Sequence, residues 1–316
     1  MRILLAGATG AIGRSLLPLL VAAGHQVAGT THAGQLDLIR RLGGDAVVMD
    51  GLDAGSVRRA VQSTRPEAII HQMSGLARVS DLRKFDSAFA LTNRLRTEGT
   101  DHLLAAAGEA GVKRFVAQSY CGWPFARVGN AVKTEEAPLD PEPPRELRRS
   151  LDAIRHLEDA VTRAPEVDGV VLRYGSFYGP GTGWFEPAVV EQFARRRVPL
   201  IGEGNGWWSF VHTEDAAAAT LLALERGRAG SVYNIVDDEP APAREWLPGL
   251  AAALGAAPPR HMSAWLARVL ADEHLVVMMT QSRAGSNAKA KRELGWQPRH
   301  ATWRRGFANV ARLIGA

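Results

Sequence analysis

Ile3-Leu4-Leu5-Ala6-Gly7-Ala8-Thr9-Gly10-Ala11-Ile12-Gly13-Arg14 opens the chain with an apolar run that turns on three spaced glycines. The run reads as a first strand. Glycines at 7, 10 and 13 then let backbone amides and the N-terminus of a following helix approach a pyrophosphate that side chains would block. Spaced glycines are common, and their place between a strand and a helix is what gives these three meaning. The turn therefore predicts a dinucleotide held by Gly7, Thr9, Gly10, Ala11, Ile12, Gly13 and Arg14.

Outward from that turn, short β-rich runs alternate with amphipathic helical stretches. Strands are predicted at 2–7, 26–31, 46–50, 68–73, 114–119 and 170–174. Helices are predicted to residue 23, through 41, through 64, over 85–110 and over 147–161. This alternation builds a parallel sheet with right-handed crossovers, so the expected fold class is α/β: a Rossmann-type doubly wound sheet with a smaller C-terminal substrate-binding lobe. The Pro-rich stretch from Pro138 to Pro144 reads as a loop, and 138–149 as a lid. After Gly183 come a helix near 187–197, Gly- and Trp-rich loops, a helix over 215–225 and a strand at 232–236. The expected division is a nucleotide-binding domain over 1–180 and the lobe over 181–316, with segments near 207–240 rejoining the first.

Thirty-eight basic residues against thirty-three acidic give a net charge of +5. The arginine clusters at 145–149, 195–197 and 304–305 lack interleaved aromatics and read as solvated faces, so no nucleic-acid partner is expected. The one cysteine, Cys121, excludes an internal disulfide framework. The first residues read as a strand rather than a signal peptide, and no run of eighteen apolar residues occurs. A cytoplasmic protein without membrane contact is expected. The nine histidines show no metal-ligand spacing, and no metal is expected.

The second strand ends at Thr30-Thr31-His32, with no acid before Asp37. A carboxylate there would bind the ribose hydroxyls of NAD. Without it a 2′-phosphate is acceptable, with Thr31, His32 and Arg14 as donors, so NADP(H) is preferred and NAD(H) is the alternative. Asp50 and Gly51, at the end of the third strand, are placed for the adenine. Gln72, Met73 and Ser74, at the end of the fourth, should line the cofactor.

Taken together the chain resembles the extended short-chain dehydrogenase/reductases, the group that includes epimerase- and dehydratase-like proteins. Beyond the glycine turn, the resemblance is carried by Gly111-Val112-Lys113-Arg114-Phe115-Val116 leading to Ser119, and by Leu172-Arg173-Tyr174-Gly175-Ser176-Phe177-Tyr178-Gly179-Pro180-Gly181. It continues through Ser209-Phe210-Val211-His212-Thr213-Glu214-Asp215, Tyr233-Asn234-Ile235 and Leu294-Gly295-Trp296-Gln297-Pro298. It implies that Gly175, Ser176 and Phe177 pass beside the nicotinamide, that Tyr174 and Ser119 also touch the cofactor, and that His212 and Asp215 support the lobe junction. A homodimer through the two long helices is implied by resemblance alone.

The departures matter as much. The family helix carries Tyr, then Lys four later, then Glu four later still. No Tyr here precedes a Lys by four positions, and with Glu158 as the last of the three, Ser150 and Ile154 hold the first two places. Where nucleotide-sugar enzymes of the family use Asn and Arg on their substrate, Ser176 and Trp208 stand here; losing an Arg fork removes the strongest contact with a diphosphate, which ranks a sugar nucleotide low.

The candidate proton donors are Ser119, Tyr120 and Ser150. Tyr120 leads them because a phenol near pKa 10 can both donate and persist as an anion. Its other reading is a ring packed under the cofactor. Trp123, Phe125, Trp184, Phe185, Trp207, Trp208 and Trp265 are expected near the pocket, suiting a flat aromatic or hydrophobic substrate. The sequence thus favours reduction of a ketone or enone, with a non-standard or substrate-derived proton. The alternatives are a non-catalytic NADP(H) sensor, or epimerase- or dehydratase-type chemistry.

Overall fold

The computed structural model describes residues 1–76, 85–270 and 272–315 of the chain. Its apolar runs become β1 (Arg2–Ala6), β2 (Gln26–Thr31), β3 (Asp45–Val48), β4 (Ala68–His71), β5 (Arg114–Tyr120), β6 (Asp168–Tyr174) and β7 (Ser231–Ile235). They form one sheet in the order β3-β2-β1-β4-β5-β6-β7, with every pairing parallel. A parallel sheet is covered on both faces, which is why Ile3-Leu4-Leu5 and Ile69-Ile70 are unbroken apolar runs, each residue at most 1% exposed.

Eight helices follow in order: α1 (Ala11–Ala22), α2 (Leu36–Arg41), α3 (Ala54–Thr64), α4 (Phe85–Arg96), α5 (Glu98–Ala110), α6 (Arg145–Thr162), α7 (Pro187–Ala194) and α8 (Thr213–Arg226). Leu16, Leu17 and Leu20 of α1 cover one sheet face together with Ala216, Ala219 and Ala223 of α8. Val57 and Val61 of α3, Leu103 and Ala107 of α5, and Leu157 and Val161 of α6 cover the other. The helix expected over 85–110 is two helices. Thr97 takes φ −95°, ψ −85° between them, and no proline marks the break, so the apolar pattern runs through it.

The segment expected as a lid is pinned. The Ala126 N–H donates to Pro138 O at 2.9 Å, the Asp140 N–H donates to Pro124 O at 2.8 Å, and Arg127 pairs with Asp140 at 2.8 Å. Residues 145–149 are the first turns of α6.

The remaining helices are α9 (Ala243–Ala253), α10 (Ala264–Leu270), α11 (Glu273–Thr280), α12 (Ala288–Leu294) and α13 (Trp303–Ile314). Trp246, Trp303 and Phe307 build a second core with Phe185, Phe193 and Phe210. Ala290, Leu294 and Trp296 return to the sheet core beside α8. The junction is held by Asp215, whose two carboxylate oxygens accept the N–H groups of Arg299 at 2.9 Å and His300 at 2.8 Å. His212 accepts the Glu214 N–H through Nδ1 and so caps α8. His212, Glu214 and His300 also bring candidate metal-ligand atoms within 4.8 Å of one another. No helix among the described residues is long and apolar enough to cross a membrane.

Candidate active site

β1 and β4 are neighbours from which the chain winds outward in opposite directions, so a crevice opens beyond their C-terminal ends. The glycine turn sits on that crevice. Gly7 holds φ +91°, and a Cβ on it would lie 2.7 Å from Gln72 O; a Cβ on Gly13 would lie 2.5 Å from Gly7 O. Only glycine lets α1 begin this close to the end of β4. Gly10 caps α1 with no side-chain bond, and no acid stands in the first turn. The leading N–H groups of Ala11, Ile12 and Gly13 therefore suit an anion, and the turn fits a pyrophosphate.

The surrounding side chains brace the turn. Arg14 Nε donates to Thr9 O at 2.8 Å, Thr9 and Thr31 share a hydroxyl bond at 3.1 Å, and the Gly7 N–H donates to Thr30 Oγ1 at 3.3 Å. His32 is exposed at the tip of β2. Asp50 is exposed, with Oδ1 accepting the Leu52 N–H at 2.9 Å, while Asp53 rather than Asp50 caps α3. Gly51 is buried under Met73, whose sulfur a Cβ there would meet at 2.6 Å, and Ser74 is exposed.

Two expected cofactor contacts face elsewhere. Gln72 Nε2 donates to the Tyr174 hydroxyl at 3.0 Å, and that hydroxyl also bonds Thr220 of α8 at 2.7 Å. Both side chains are buried in this way, and burial pushes the Tyr174 phenol up to about 12. Gly175 is needed for close packing, since a Cβ would meet Ser209 O at 2.8 Å; Phe177 is half-buried against Tyr174, ring centroids 5.4 Å apart.

The proton-donor candidates separate clearly. Ser119 donates to Glu158 Oε1 at 2.7 Å, and Arg173 clamps the same carboxylate at 2.8 and 2.6 Å. Ser119 is thus committed to a buried network. Ser150 is fully buried on α6 with an unpartnered Oγ, and Ile154 is fully buried one turn on. Tyr120 bonds Ser176 Oγ at 3.1 Å, and burial pushes its phenol up to about 12. It holds its proton at neutral pH, which removes the anionic half of its expected role. Cys121 is 1% exposed, and burial pushes its thiol up.

Tyr120, Gly122, Trp123, Trp207, Trp208 and Met278 line one cleft. Trp123 lies 6.2 Å from Tyr120, and Trp208 packs between Trp184 at 6.0 Å and Trp246 at 4.9 Å. Four expected wall residues lie outside this cleft, among them Trp184, which packs on the second core beside Trp208 and Trp246. Phe185 packs on Phe307 inside the lobe core, and Phe125 is buried beneath Arg173. Trp265 is 72% exposed on α10 and stacks on none of the other rings.

One charged residue escaped the reading of the sequence. Arg96, at the end of α4, is 8% exposed and makes no hydrogen bond or ion pair among the described residues, yet its charge is felt by Tyr120, Glu158 and His71. Its signal was the spacing Phe85, Phe89, Thr92, Arg96, which places it on the face that carries two aromatic rings.

Residues 3–236 match the model of the NAD dependent epimerase/dehydratase family. The chain is 41% identical over 310 residues to a 3-diazoavenalumate denitrifying reductase from Streptomyces sp, covering 97% of this chain and 99% of that protein. It is 27% identical to the 2-alkyl-3-oxoalkanoate reductase of Stenotrophomonas maltophilia, over 81% of this chain and 76% of that one. A dTDP-glucose 4,6-dehydratase structure from Streptomyces venezuelae with NAD bound superposes with a TM-score of 0.78 at 24% identity, covering 100% of this chain and 97% of that one.

Proposed function

The chain belongs to the NAD dependent epimerase/dehydratase family and is an oxidoreductase that uses a nicotinamide cofactor, and from that premise we propose that it reduces a diazo-bearing arene with release of dinitrogen. The observation that carries this reading is at α6. The places of the family's tyrosine and lysine are filled by Ser150 and Ile154, both fully buried. The reaction needs neither. An aryl diazonium is already an electron-deficient cation: one hydride forms the new C–H bond, the C–N bond breaks, and N2 leaves with that bond's electron pair. Ar–N2⁺ and hydride balance Ar–H and N2 with no proton entering.

When bound, the reduced nicotinamide supplies the hydride. The chain's own residues then hold the reactants. The turn at Gly7 to Gly13 takes the pyrophosphate, and Trp123, Trp207 and Trp208 line, with Tyr120, a narrow cleft that must widen to admit a flat ring. Orientation of this kind is worth about 7–11 kcal/mol, more than the roughly 3–5 kcal/mol of an absent general acid. The acid-free tip of β2, with His32 exposed beside Thr31 and Arg14, favours NADPH over NADH.

The name of the 41% identical relative supports the diazo reading, and that of the Stenotrophomonas reductase supports a carbonyl. The test is anaerobic incubation with NADPH or NADH and two panels, ¹⁵N-labelled diazo arenes and aromatic ketones with and without a neighbouring hydroxyl. Loss of reduced-cofactor absorbance matched one to one by labelled N2 is the expected result. Turnover of ketones without N2 release replaces the reading by carbonyl reduction; tight cofactor binding without any turnover replaces it by a sensor.

A further inference from the structure

We propose that Arg96 is a specificity-determining residue whose guanidinium receives an anionic oxygen of the substrate, so that the cleft selects arenes bearing a phenolate or a carboxylate. This deepens the reading above and rests on it for the position of the ring.

The argument starts from the helix. In α4 the residues Phe85, Phe89, Thr92 and Arg96 recur at spacings of four, three and four, which puts them on one face. Phe85 and Phe89 stack at 4.0 Å, Phe85 meets Trp123 edge-on at 6.0 Å, and Trp123 lies 6.2 Å from Tyr120. Through Phe85 that face therefore meets Trp123 on the wall of the aromatic cleft. Arg96 stands at the inner end of that face, 8% exposed, within electrostatic reach of Tyr120.

Among the described residues, every neighbour whose charge reaches it is engaged or neutral. Glu158 is held by both arms of Arg173 and accepts from Ser119. Tyr120 keeps its proton and bonds Ser176. His71 is neutral, bonding Leu95 O through Nε2 at 3.2 Å, and burial holds it down at about 4. Desolvation lowers the Arg96 guanidinium to about 10, so it stays cationic at neutral pH. A buried cation without a partner is destabilising, and an anionic ligand oxygen supplies the missing countercharge. The planar fork matches an oxyanion or carboxylate rather than a neutral oxygen. The same cation stands near α6, where Ile154 leaves the family's lysine place apolar.

The experiment uses the full-length protein loaded with NADP⁺ and two pairs of probes: 4-nitrophenolate against 4-nitroanisole, and 4-nitrobenzoate against 4-nitrobenzamide. Calorimetric titration should show at least one anion binding ten-fold or more tightly than its neutral partner, and the arm that discriminates identifies the oxygen. Arg96→Met should abolish the discrimination while leaving the neutral probes unchanged, and Arg96→Lys should keep part of it. Thermal melting without probe should place Arg96→Met at or above the parent, because an unpaired buried charge is removed.

Equal binding within both pairs, absence of binding by any probe, or discrimination that survives Arg96→Met overturns the proposal. So does a melting temperature several degrees below the parent, which marks a structural arginine. Failure of labelled N2 release with anion selectivity intact removes the diazo reading alone; N2 release without selectivity removes the arginine's role alone.

Discussion

At the scale of single residues, Tyr120 and Gly7 make opposite predictions. Tyr120 is in the cleft, protonated, and bonded to Ser176. Hydride transfer to a diazonium asks no proton of it, so Tyr120→Phe should change kcat by less than about ten-fold, whereas loss of a true general acid costs about 10²–10⁴. Single-turnover kinetics on the diazo substrate decide between these. Gly7 has φ +91° and backbone atoms of Gln72 and Met73 under 3.0 Å from any added Cβ. Gly7→Ala therefore meets conformational strain and a clash with backbone, and should cost about 1–3 kcal/mol of stability. Urea unfolding and a cofactor fluorescence titration should show both a lower midpoint and weakened dinucleotide binding; unchanged binding would mean that α1 does not approach the pyrophosphate. The glycine turn was readable because its geometry is local. Gln72 and Tyr174 were misplaced because strand position alone does not say which face a side chain takes, and here the pair closes on Thr220 of α8, about a hundred and fifty and fifty residues along the chain from them respectively.

At the scale of elements, α6 is held by its buried face. Its buried stripe of Leu147, Ser150, Leu151, Ile154, Leu157, Glu158 and Val161 keeps the helical period, and Glu158 enters the Ser119–Glu158–Arg173 network. Glu158→Ala leaves Arg173 buried without its partner and should cost about 3–5 kcal/mol, while Ser119→Ala should cost about 1 kcal/mol. The double variant Glu158→Leu with Arg173→Met removes both charges and should recover most of that loss. Chemical denaturation of the four proteins checks the set, and a double variant as unstable as Glu158→Ala would show that the network does more than balance charge. The existence of α6 and its burial were legible from its periodicity. The pairing of Glu158 with Arg173 was not, since it depends on α6 lying across β6. Trp265 and Phe185 failed for the same reason: an aromatic-rich sequence says how much ring surface exists, while the packing of α7, α10 and α13 decides which rings enter the lobe core and which face water.

At the scale of the whole molecule, two buried groups in different cores set opposing pH dependences. His71, in the sheet layer, is fully buried and held at about 4, below its ordinary 6.5, chiefly by desolvation. Its unfolded form takes a proton first, so its contribution to stability is complete above pH 6.5 and is lost as pH falls towards 4. Asp237, 2% exposed at the lobe junction with one carboxylate oxygen unpartnered, is raised by desolvation from 3.8 to about 9. Its folded form holds the proton more tightly, so its contribution is complete below pH 3.8 and is lost as pH rises towards 9. Each group changes stability by about 1.4 kcal/mol per pH unit within its window. Between pH 4 and 6.5 the two slopes cancel; from 6.5 to 9 only Asp237 acts, for a decline of about 3 kcal/mol. Asp237→Asn should therefore abolish the alkaline decline and uncover the acid-side loss that His71 produces below pH 6.5, together with His25 and His212, which burial also holds down. Urea midpoints at half-unit intervals from pH 4 to 9.5 read both effects at once. An alkaline decline that persists in Asp237→Asn would place its origin elsewhere, and a variant still flat between 4 and 6.5 would mean that His71 is not the acid-side counterweight.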